Sequence, residues 1–128
     1  MDKTLDLAQR LLKAAQYIVD LKDTDLLAPI CSDISVAIEL CLQFLLSNSK
    51  VQVIHPCSMV ELMGILAVRG CSLDKWLAQY AEELDSWKTG MLLSVDLALC
   101  IEGLRKGQDL LEYCKSLDAE RISKEESK

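Results

Sequence analysis

The stretch D-I-S-V-A-I-E-L-C-L-Q-F-L-L-S-N-S-K-V-Q-V-I-H-P-C-S-M-V-E-L, residues 33–62, decides the fold. At about 3.6 residues per turn, Ser32, Ser35, Glu39, Gln43 and Ser47 align along one side of a helix. Ile30, Ile34, Ala37, Ile38, Leu40, Cys41, Leu42, Phe44, Leu45 and Leu46 cover the rest of its circumference. A helix this apolar needs neighbours on several sides, from its own chain or from a partner subunit, so the spacing predicts a central helix. It starts between Asp25, a candidate cap, and Pro29, and it reaches Leu46 before S-N-S-K stops it.

Working outward, a first helix is predicted over Thr4–Lys22, burying Leu5, Ala8, Leu11, Leu12, Ala15, Ile18 and Val19. Downstream, Val51–Pro56 reads as a short extended connector, because the residue before proline, His55, is pushed out of the helical region. Ser58-Met59-Val60-Glu61 has the capping-box form and opens a third helix over Met59–Arg69, with Gly70 at its left-handed end. A fourth begins after Ser72 and carries Leu73, Trp76, Leu77, Tyr80, Ala81, Leu84 and Trp87 on one face. After the Thr89-Gly90 break a fifth runs over Ser94–Leu117, with Leu97, Ala98, Ile101, Leu104, Leu111 and Cys114 facing the core. Gly103 and Gly107 lie on one side of it, a pairing that suits the close approach of a neighbouring backbone or of a second subunit. The predicted fold is all-α, a helical bundle. The domain spans residues 1–117, and the mixed-charge tail 118–128 is expected to fray.

Composition agrees with a helical core. The chain is 51% hydrophobic but only 5% aromatic, and five Gly and two Pro leave little turn chemistry for a sheet. A formal net charge of −6, with no run of Lys and Arg among aromatics, argues against nonspecific nucleic-acid binding. The acidic start M-D-K-T-L-D-L is not that of a signal peptide, and Asp33, Glu39, Glu61 and Asp96 interrupt the apolar runs. The expectation is therefore a cytoplasmic chain that does not cross a membrane. The six cysteines form no C-x-x-C pair and share one histidine, so no metal site or cofactor is expected. Cys31, Cys41, Cys100 and Cys114 sit in apolar helical patterns and read as small, reduced core residues.

Little in the chain supports catalysis. The single histidine, His55, neighbours Cys57 and Ser58 too closely in sequence to form an attack geometry, and Ser58 is better used as a cap. Phosphate-loop, dinucleotide and zinc-protease motifs are absent, and no catalytic residue is assigned. Two readings of the polar stripe stay open. It is either the ordinary solvated side of the central helix, or a polar groove in which Ser32, Ser35, Glu39 and Gln43, joined by His55, bind a sugar hydroxyl, a base edge or a partner backbone.

The order of elements resembles the HEPN superfamily of small helical bundles. D-I-S-V-A-I-E-L-C-L-Q-F-L-L (33–46) is similar to that family's long second helix with its A-x-E-x-x-x-x-x-L-L pattern, H-P-C-S-M-V-E-L (55–62) to the segment opening its third, and Y-A-E-E-L-D-S-W (80–87) to its fourth. The resemblance implies an antiparallel up-and-down four-helix bundle with one short additional helix, commonly a homodimer, that binds nucleotides or RNA or pairs with a small nucleotidyltransferase. HEPN ribonucleases carry an Arg a few residues ahead of a His, whereas the one Arg before His55 is the distant Arg10. Ser58-Met59 stands where many relatives have Thr-His, and W-K-T-G-M-L (87–92) where they have Arg-Tyr. The expected function is a non-catalytic, homodimeric binding module paired with a nucleotidyltransferase or a toxin–antitoxin partner. The alternative is a nucleotide-binding or RNA-processing enzyme with a diverged site.

Overall fold

Among residues 1–22, 24–52, 57–89 and 96–126, which the computed structural model describes, every regular element is a helix. The order is α1 (Lys3–Asp20), a 3-10 turn (Thr24–Leu26), α2 (Leu27–Asn48), α3 (Met59–Val68), α4 (Lys75–Gln79), α5 (Ala81–Thr89) and α6 (Leu97–Glu126). The connector around His55 and the Gly90 break fall outside the described residues.

α2 is the core of the molecule. Eleven of its 22 residues are buried, including Ile30, Ile34, Ile38 and Leu42, which are wholly enclosed. Its length and composition alone would let it cross a membrane, since two acids do not interrupt it enough to prevent that. Here its apolar surface is covered by α1, α6, α5 and α3. α1 runs antiparallel to α2, because Thr4 shares a cleft with Gln43 and Ser47 while Ile18 and Val19 share another with Ile30. It is antiparallel to α6 as well, with Asp2 N donating to Asp118 Oδ2 at 3.0 Å and Gln108 Nε2 donating to Gln16 Oε1 at 3.0 Å. α2 and α6 run in the same direction, since Gly107 backs onto Ile38 and the Cys114 thiol meets the Cys41 carbonyl at 3.7 Å.

Capping accounts for most of the boundaries. Asp2 accepts from the amides of Thr4 and Leu5 to start α1. The Ser58–Glu61 capping box starts α3, and Asp85 of α5 also accepts from Met59 N at 2.9 Å, fastening one short helix to another. Gly70, at φ +79, ends α3 with the paired bonds of a Schellman motif, Gly70 N to Ala67 O and Cys71 N to Leu66 O. The N-cap of α2 falls one residue after Asp25. Leu26 occupies that position without a side-chain bond, because residues 24–26 are drawn into the 3-10 turn.

Two further expectations are revised. The single helix expected over residues 73–87 is two, α4 capped by Asp74 and α5 starting at Ala81, with Tyr80 between them at φ −104. On a straight helix Trp76 and Trp87 would lie about 16 Å apart. With the break, both rings converge on the same point of α6, so that a Cβ on Gly103 would meet Trp87 at 3.0 Å and Trp76 at 3.4 Å. The segment expected to fray after Leu117 instead continues α6 to Glu126. Asp118 is only 2% exposed, and its bond to Asp2 N holds this part of α6 against the start of α1.

Gly103 and Gly107 are therefore buried by packing within the chain and not by a second subunit; a Cβ on Gly107 would meet Leu12 at 3.1 Å. Ala favours a helix over Gly by about 0.5–1 kcal/mol, but Trp87 is buried and has no room to withdraw. Gly103→Ala is accordingly expected to lower stability by about 1 kcal/mol, read as a lower urea midpoint. Gly64→Ala on the exposed side of α3, where nothing lies within 4 Å of the new carbon, is expected to raise that midpoint instead.

Candidate functional site

The polar side of α2 divides into two parts. Ser35 is wholly buried, and its Oγ donates to the Leu84 carbonyl of α5. One turn on, Glu39 Oε1 pairs with Lys88 Nζ at 2.8 Å, with the Glu39 side chain 15% exposed. A hydroxyl and a carboxylate amid so much apolar surface need partners, and α5 supplies both. Ser32 is half-buried, whereas Gln43 and Ser47 are exposed. Gln43 belongs to a different place from Ser35 and Glu39, and His55 lies outside the described residues, so the five candidate groups are not seen as one groove.

Gln43 lines a cleft of about 400 Å³ with Thr4, Ser47, Asn48, Lys50 and Arg121, where the start of α1, the end of α2 and the last turns of α6 meet. The acids at its edge are already engaged. Asp2 caps α1, and Asp118 accepts from Asp2 N and, at 2.6 Å, from Arg121. Burial alone would push the Asp118 carboxyl up, but the Arg121 guanidinium and the Asp2 amide outweigh it and hold the group below the usual carboxylate range. Lys50 is presented at φ 59, the left-handed position that ends α2, with its amide bonded to the Ser47 carbonyl. Amides, hydroxyls and two cations therefore face this cleft, an array suited to hydrogen bonding a polar ligand and unsuited to covalent attack.

At the other end of the α1–α2 pair lies an apolar groove of about 520 Å³, lined by Ile18, Val19, Leu27, Ile30, Leu97 and Ile101. Leu97 is 40% exposed and Ile101 44% exposed. Five of the six thiols are buried, and Cys71 is half-buried. All six cysteines are free, Cys31, Cys41, Cys100 and Cys114 are buried, and the Cys100 thiol together with burial pushes Cys31 up, away from the thiolate.

Sequence reasoning did not find Asp85, Lys88, Asp118 or Arg121. The signal for Asp118 is present, since it extends the series Leu111, Cys114 by one turn, but a charge at that position reads as solvated. No family model, curated protein or solved structure matches this chain.

Proposed function

We propose that the chain is a non-catalytic, HEPN-like helical-bundle binding module, a cytoplasmic homodimer that pairs with a nucleotidyltransferase or a toxin–antitoxin partner. In this reading α1, α2 and α6 are three members of a four-helix bundle and the short helices α3–α5 take the fourth place, with Leu84 beside Ser35 and Lys88 beside Glu39, so that α5 runs in the same direction as α2 where an up-and-down order would reverse it. The support is the order of elements, the apolar α2 with Glu39 on its polar side, and the Ser58 cap that opens α3. The observation that carries it is the use made of the polar stripe. Ser35 and Glu39, the groups best placed for chemistry, are tied to Leu84 and Lys88, while an apolar groove stands open.

The test is twofold. RNA and ribonucleotides incubated with the purified protein are expected to stay intact, and the protein is expected to co-elute with a nucleotidyltransferase encoded beside its gene. RNA cleavage that disappears in Glu39→Gln would overturn the non-catalytic reading. A second reading, nucleotide binding at a diverged site, is favoured by the cleft bearing Gln43, Asn48, Lys50 and Arg121. It requires saturable nucleotide binding that Lys50→Glu abolishes.

A further inference from the structure

Two pairs of cysteines bridge α2 and α6, Cys31 with Cys100 and Cys41 with Cys114, and they differ in how far they lie from a helix end. α2 and α6 run in the same direction, with Gly107 facing Ile38. Seven residues earlier on each helix, about two turns back, stand Cys100 and Cys31. The register that seats Gly107 on Ile38 therefore sets these two thiols side by side. Ile30, Leu97 and Ile101 line one groove, which independently places the same turns of the two helices against each other. Without a side chain at Gly107 the helices approach closely, as a bridge between facing helical residues needs. We propose that Cys31 and Cys100 are a reversible oxidation site, a dithiol that a peroxide converts to a disulfide fastening the start of α6 to α2.

The two thiols have different parts in this reaction. The Cys31 thiol, as a hydrogen-bond donor, holds Cys100 below the ordinary thiol value against the opposing effect of burial, while Cys31 itself is pushed up. Cys100 is thereby the attacking sulfur and Cys31 the resolving one. The Cys100 sulfur attacks one oxygen of hydrogen peroxide and the O–O bond breaks; the departing hydroxide takes the Cys100 proton and leaves as water, and Cys100 becomes a sulfenic acid. The Cys31 sulfur then attacks that sulfur, the S–O bond breaks, and the hydroxyl leaves with the Cys31 proton as a second water. The thiols are oxidised by two electrons and the peroxide is reduced by two.

Both thiols are wholly enclosed, so the reaction requires a local opening, and α6 provides one. Asp96, Leu97 and Ala98 are exposed, and Cys100 is the first buried residue of α6. Only the first turn has to open, the one held by Cys100 N on the Asp96 carbonyl at 3.0 Å and by Ala98 N on Asp96 Oδ1 at 2.9 Å. Opening a terminal turn costs far less than global unfolding. The second pair has no such route. Cys114, whose thiol meets the Cys41 carbonyl, lies more than about four turns into α6. The Cys41 thiol and burial both push Cys114 up, away from the thiolate, so this pair stays reduced.

Hydrogen peroxide treatment of the folded full chain, followed by peptide mapping without reduction, tests the site. Digestion combines trypsin with a glutamate-specific protease, which separates Cys31 from Cys41 at Glu39. The count of free thiols is expected to fall by two from six, with the Cys31 and Cys100 peptides of one chain recovered joined, and dithiothreitol is expected to restore all six. Cys100→Ala abolishes the joined peptide. Cys31→Ala leaves Cys100 as a sulfenic acid that dimedone traps, and Cys114→Ala leaves the joined peptide unchanged, with helical circular dichroism confirming the fold of each variant. Six free thiols after peroxide, or a bridge joining any other pair or two chains, overturns the proposal. A Cys31–Cys100 bridge that forms only in denaturing urea overturns it as well, since the register of the folded helices is then not its cause. None of these results depends on the binding partner proposed above.

Discussion

Ile38→Ala is expected to lower the unfolding free energy by about 3–5 kcal/mol, near the upper end of what truncating one core side chain can cost. Ile38 is wholly buried and packs against the backbone of α6 at Gly107, where a Cβ would come within 3.4 Å of its Cγ1. Three carbons are removed from a place where neither neighbour can close in. α1 is held against α6 by the bonds at Asp2 and Gln16, and α6 has no side chain at position 107 to swing into the space. Against a typical domain stability of about 5–15 kcal/mol, the variant should melt roughly 10–20 °C below wild type. Gln43→Ala, on the exposed part of the same helix, should change stability by less than about 0.5 kcal/mol. Thermal unfolding of the pair separates a buried face from a wet one on a single helix.

Asp118→Ala is expected to cost about 2–3 kcal/mol. The carboxylate is nearly inaccessible and satisfies Asp2 N, the amide of the residue that caps α1, while Arg121 closes its other oxygen. Truncation leaves that amide without its acceptor and loosens the first turn of α1, whose side chain Leu5 is enclosed in the core. Arg121 is half in water and is rehydrated without penalty. The effect has a pH signature. Because the folded-state pKa of Asp118 lies below the unfolded value, its stabilisation is present in full above about pH 4, the unfolded carboxyl range. It is lost as pH falls through the lower folded value. The stability difference between wild type and Asp118→Asn should therefore be constant near neutrality and shrink on acidification, as measured by urea unfolding at a series of pH values.

These two residues show what the sequence makes legible. Ile38 is found by periodicity alone: the apolar residues of α2 recur on every side but one, and that pattern has a single packing solution. The cap at Ser58 and the left-handed Gly70 are found for the same reason, since local chemistry settles them. Asp118 is a charge in a charged segment, and its burial depends on a contact 116 residues away along the chain. The break at Tyr80 is likewise hidden. Its amphipathic spacing is that of one continuous helix, and only the convergence of Trp76 and Trp87 on Gly103 rewards the bend. The division of the polar stripe is hidden on similar grounds. Ser35 and Glu39 look like the floor of a groove until the Leu84 carbonyl and Lys88, both from α5, are brought against them.

The central claim is that α2 lies inside the molecule, with its apolar residues covered and with Ser35 and Glu39 held against α5. Native-state amide hydrogen exchange measures this directly. The amides of residues 34–46 are expected to be among the slowest in the protein, opening only with global unfolding and slowed no further than the free energy from urea denaturation allows. Exchange of that segment at rates matching the exposed last turns of α6, under conditions where the chain remains folded, would contradict it.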